Sequence, residues 1–202
     1  MNKTGKFTVV IALIFEMTVL INGISALWGK QWEDLGLSAL AMALLILPFL
    51  LNYLANRAEL KLPPGFLLTG VVFIFLAQYF GEIRKFYQML WWWDIFLHGA
   101  FGVLSVLFAL YIMQSNFKKV SQLSDSRFTL FLAILSLCFS IACSALWEMF
   151  EFTGDILLPV KMVKGGLEDT MSDLLSGSLT ALITAAGYYF IWRFLHREKT
   201  KI

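Results

Sequence analysis

Charge is scarce in this chain. Asp, Glu, Lys and Arg make up only 15% of its 202 residues and hydrophobic residues 59%. A soluble domain carries roughly 25% charge, so this composition excludes a water-soluble fold, which could not cover its surface with polar groups. The net charge of +2 gives no basic footprint for a nucleic acid. Cysteine is nearly missing. Cys138 and Cys143 lie five apart in one apolar run, which predicts two small buried side chains and no disulfide between them. There is no Gly-x-Ser-x-Gly turn and no glycine-rich phosphate loop, so covalent acyl transfer and nucleotide use are not indicated. No internal repeat or low-complexity segment appears.

What is present is a series of long apolar runs. A span needs roughly 20 mostly apolar residues. Runs near 7–27, 35–54, 66–87, 92–113, 128–152 and 173–195 meet or approach that length. They predict an all-α, polytopic transmembrane helical bundle of about six spans, forming a single integral membrane domain over residues 1–202. The first run follows Lys3 and Lys6 and resembles a signal peptide. It is longer than an export signal's apolar core, and no small-x-small cleavage site follows, so it is read as a retained span. The third run is the weakest, because Glu82, Arg84 and Lys85 must snorkel for it to cross.

Lys and Arg orient the spans. With the N-terminus inside, eleven of the 16 basic residues fall on the inner side, among them Arg57, Lys61, Lys118, Lys119 and the tail Arg193–Lys201. Ten of the 14 carboxylates fall on the outer side. The pattern predicts both termini in the cytoplasm, with Trp91, Trp92 and Trp93 in an interfacial belt. The basic tail can also meet anionic lipid.

Three helix ends on that outer side carry titratable groups at helical spacing. The fourth span opens with Asp94 and His98. The fifth closes with Glu148, Glu151 and Asp155. The sixth opens with Asp169 and Asp173. Residues three or four apart share a helix face. Small and hydroxylated residues continue each stripe: Gly102 and Ser105; Ser136, Ser140 and Ser144; Gly177, Thr180, Thr184 and Gly187. Such stripes let membrane helices approach closely. The bland reading is a ring of solvated headgroup-level charges in salt bridges, with His98 a hydrogen-bonded helix partner. The sharper reading is one site.

Like charges at short range must be neutralised. A divalent metal, shared protons, or Arg84, Lys85, Lys161 and Lys164 can each do so. Oxygen-rich donors with one imidazole suit Mg²⁺, Mn²⁺ or Fe²⁺ better than a structural Zn²⁺. The expected metal ligands are Asp94, His98, Glu148, Glu151, Asp169 and Asp173. The expected catalytic groups are His98, Glu148 and Asp94, with His98 a ligand or a general base. Asp155 and Glu168 read as loop charges. Glu82 with Gln78, four apart, can either join the site or snorkel. Glu16 stands alone in the first span, as a neutral hydrogen-bonded acid or a proton relay. Asn22 and Asn52 read as interhelical hydrogen-bond partners, and His196 as solvent-exposed.

At Asp94-Ile-Phe-Leu-His98 with Gly102, at Glu148-Met-Phe-Glu151 and at Asp169-Thr-Met-Ser-Asp173, the chain resembles the YjdF-like family of bacterial inner-membrane proteins and, more distantly, VanZ-like proteins. The resemblance runs from Trp91 to Gly187. It implies a bacterial cell-membrane location and no settled activity. The chain departs from the family pattern around the third span and before Asp169, which leaves Glu82 and Asp155 outside the carried-over set.

Three functions follow as expectations. The first is a metal-dependent hydrolase acting on a lipid or lipid-linked substrate at the outer leaflet. The second is a cation or proton-coupled transporter using Glu16, although transporter sites usually lie near the midplane and within inverted repeats. The third is a non-enzymatic accessory protein. The bilayer is the one partner common to all three, and oligomeric state stays open.

Overall fold

In hydrocarbon every backbone N–H and C=O must find its partner within the chain, so long apolar runs become helices. The computed structural model describes residues 3–119, 123–157, 162–163 and 165–196. It contains α1 (Lys3–Trp28), α2 (Trp32–Arg57), α3 (Phe66–Phe75, continued by a π-helical stretch Leu76–Ile83), α4 (Phe86–Met89), α5 (Trp93–Asn116), α6 (Asp125–Leu157) and α7 (Leu167–His196). No strand occurs among the described residues. Six helices are long and apolar enough to cross a membrane. The chain divides into two compact units, Met1–Trp93 and Asp94–Ile202.

In the first unit α1, α2 and α3 share a core of Ala12, Val19, Ala41, Leu45, Val71 and Phe75. Asn22 donates to Ser38 Oγ across α1 and α2 at 3.1 Å, as expected of an interhelical partner. Pro48 lies inside α2, where its ring faces Gly70 of α3. The third span does not run to residue 87. Its last turns widen, with Arg84 N–H donating to Tyr79 O five residues back. The chain then turns at Lys85, which has φ +59°. The reason is local. A side chain at Gly81 would overlap the Tyr87 ring, which packs back onto that glycine. Gln78 is buried in the widened stretch.

The second unit is α5, α6 and α7, and its packing follows four-residue ladders. On α5 the buried positions include His98, Gly102, Val106 and Leu110; on α6, Ser136, Ser140, Ser144 and Glu148; on α7, Asp173, Gly177, Ala181 and Ala185. The outward faces carry large apolar groups such as Leu175, Leu179, Ile183 and Phe190. Polar and small residues inside, apolar residues outside, is the arrangement a bilayer imposes. It also corrects the reading of the cysteines: Cys138 is exposed and Cys143 half-buried, because the buried ladder of α6 is occupied by serines.

Candidate functional site

The ladders fix where the titratable ends go. A side chain at Gly102 would overlap the Gly177 carbonyl, so α5 and α7 touch backbone to backbone at this point. Ser176 Oγ donates to Ile95 O at 2.8 Å, and Ser105 and Ser140 share a 2.5 Å hydrogen bond between α5 and α6. One turn from these contacts lie His98, Glu148 and Asp173. All three are buried, at 8%, 5% and 3% exposure.

His98 is the hub. Its Nε2 lies 3.4 Å from Asp94 Oδ1 and 4.0 Å from Asp173 Oδ2. Its Nδ1 lies 3.7 Å from Glu148 Oε1. The Asp94 side chain is 25% exposed, the most accessible of the three carboxylates that approach the ring. One ligand atom each from Asp94, His98 and Asp173 lie within 4.8 Å of one another, and this group can hold a metal ion. Donors around one ion at about 2.1 Å stand roughly 3 Å apart when adjacent and about 4.2 Å when opposite. The two His98 separations fall in that interval. Glu148 Oε1 and Ser144 Oγ are buried without a hydrogen-bond partner among the described residues.

Residues 7–193 match the model of a family described as predicted membrane proteins, DUF2238. The chain belongs to DUF2238. An uncharacterised protein of Thermotoga maritima is 30% identical over 129 residues, 63% of this chain and 59% of that protein. The chain thus spans less than two thirds of that relative's length. No solved structure matches.

In this DUF2238 chain the six sequence-predicted site residues do not all meet at the imidazole. Asp94, His98, Glu148 and Asp173 do. Glu151 instead accepts from Trp147 Nε1 on its own helix at 2.9 Å. Asp169 accepts from Gly165 N–H at 3.2 Å, tying down the turn before α7. Asp155 lies in the last turns of α6, not in a loop, and its carboxylate accepts from Met162 N–H at 2.6 Å and Val163 N–H at 3.1 Å. Glu168 is exposed in the first turn of α7. Lys161 and Lys164, named as counter-charges, and tail residues 197–201 lie outside the described residues. His196 is exposed against Trp192. A side chain at Gly187 would meet nothing within 4 Å, so this glycine drops out of the contact stripe. Sequence reading missed Gly99 and Ser176, which pack together. Gly99 lies three residues before Gly102 on α5, and Ser176 three residues after Asp173 on α7.

Proposed function

We propose that Asp94, His98 and Asp173 bind one divalent metal ion, and that the protein is a metal-dependent hydrolase acting on a lipid or lipid-linked substrate. The observation that carries the reading is the convergence of two carboxylates, from two different helices, on one imidazole nitrogen, with His98 and Asp173 buried and Asp94 partly exposed. Charged groups within a membrane protein are costly and mark function by default.

In this reading Asp173 and His98 Nε2 form the fixed inner part of the shell, since both are buried. Asp94 sits at the entrance, where a polar headgroup would arrive. A bound divalent ion would supply an activated water and polarise a phosphoryl or acyl oxygen. The protein would hold the scissile group against Asp94 and exclude bulk water on the Asp173 side. Glu151 and Asp169, as expected ligands, would have to leave their present partners, so we place them outside the shell.

We further propose that the termini face the cytoplasm and the site faces the outer leaflet of a bacterial cell membrane. The Lys and Arg distribution supports that orientation. The YjdF-like assignment rests on the order of the three paired motifs.

Metal analysis tests the reading. Purified protein equilibrated with Mn²⁺ or Zn²⁺ should retain a stoichiometric ion. Asp94→Ala, His98→Ala and Asp173→Ala should each lose it. Absence of bound metal in the wild type, or equal retention in the three variants, would overturn the proposal. Ion flux into liposomes that depends on Glu16 would favour the transporter reading instead.

A further inference from the structure

The carboxylates around His98 are not equivalent. Asp94 and Asp173 approach Nε2, whereas Glu148 approaches Nδ1. The two ring nitrogens point away from each other, so a group on Nδ1 cannot share an ion with groups on Nε2. Glu148 is also held differently. It ends the ladder Ser136, Ser140 and Ser144, whose members are at most 1% exposed. Its Oε1 is buried and has no hydrogen-bond partner among the described residues. Buried acceptors of this kind find a donor in nearly all native structures. The Nδ1–H of His98, at 3.7 Å, needs only a small side-chain rotation to supply it.

We propose that Glu148 is a positioning residue that accepts a hydrogen bond from His98 Nδ1–H and so turns the Nε2 lone pair toward Asp94 and Asp173. A histidine that binds metal through one nitrogen usually donates its other N–H to a carboxylate or carbonyl, which fixes tautomer and ring orientation. Without such an acceptor, neutral imidazole in water favours the proton on Nε2, which would point a hydrogen at the two aspartates. The consequence for metal affinity rests on the metal reading above; the tautomer does not.

The chain has only two histidines, so ¹⁵N-ring-labelled protein gives two imidazole signal sets, and His196→Gln identifies the one from His98. Metal-free protein at alkaline pH, where the ring is neutral, should show His98 protonated on Nδ1. Glu148→Gln keeps an acceptor oxygen and should keep that tautomer. Glu148→Leu should shift it to Nε2–H. A wild-type ring protonated on Nε2, or a Glu148→Leu ring unchanged from wild type, overturns the proposal. Should Glu148→Leu fail to fold, the wild-type tautomer alone decides. With Mn²⁺ or Zn²⁺, Glu148→Leu should keep stoichiometric binding and weaken affinity about 10- to 100-fold. Complete loss, matching Asp173→Ala, would make Glu148 a ligand and defeat the assignment. If the wild type binds no metal while His98 carries its proton on Nδ1, the metal reading fails and the role of Glu148 stands.

Discussion

His98 carries a proton donor or lone pair on each ring nitrogen, and three carboxylates divide between them. That makes it the member whose loss isolates the others. Replacing it with alanine leaves Glu148 Oε1 and the buried Asp173 without the imidazole that approaches both. Leaving a buried polar group unsatisfied costs about 1–3 kcal/mol. Metal-free His98→Ala should therefore unfold at lower denaturant than wild type in detergent, by about that amount. Asp94→Asn, at a partly exposed position, should cost less than His98→Ala in the same titration. Equal stability of His98→Ala and wild type would contradict the hub role. Spacing alone put each of the expected groups on a shared helix face with its pair, because positions three or four apart share a face whatever surrounds them, and four of the six meet at the imidazole. Glu151 and Asp169 obey the same spacing. Nothing in the sequence reveals that a neighbouring indole and a turn amide bind them first.

At the level of elements, the three helices of the second unit meet through glycine and serine, and not through interlocking large side chains. Gly102 against Gly177 is the tightest point. Gly102→Val should destabilise by about 1–3 kcal/mol, the range for overpacking a filled site. Gly187→Ala, with open space beside it, should be close to neutral and serves as the control in thermal unfolding. Asp155 offers a separate test. It ties Met162 and Val163 back onto α6 through two backbone amides. Hydrogen bonds to charged groups are worth about 1.5–3 kcal/mol. Asp155→Ala should therefore speed amide exchange at Met162 and Val163, while exchange in the core of α6 stays unchanged. The existence of the helices was readable, because run length and hydropathy determine them. Their ends were not. The end of α3 is set by the Tyr87 ring over Gly81, and the extension of α6 to Leu157 goes with the Asp155 strap, both contacts between residues the pattern does not link.

At the scale of the whole molecule, six apolar helices in a family of predicted membrane proteins make this a multi-pass membrane protein. Orientation is open to direct measurement. In a background with Cys138 and Cys143 replaced, single cysteines in the 29–31 turn should react with an impermeant thiol reagent from outside whole cells. Cysteines near residue 58 should react only after the membrane is opened. The reverse pattern would invert the proposed topology and move the His98 site to the cytoplasmic face.

The sequence by itself determined that this chain lives in a bilayer and that it crosses as long helices, because hydrocarbon admits only backbone that satisfies itself within the helix. It also determined that acid groups gather at three helix ends, since spacing along one helix is a local property. Tertiary structure decided which of those groups meet. The rotation of each helix about its own axis depends on contacts between residues far apart in the chain, such as Gly102 with Gly177 and Ser105 with Ser140. Those contacts bring Asp94 and Asp173 to one nitrogen of His98 and Glu148 to the other.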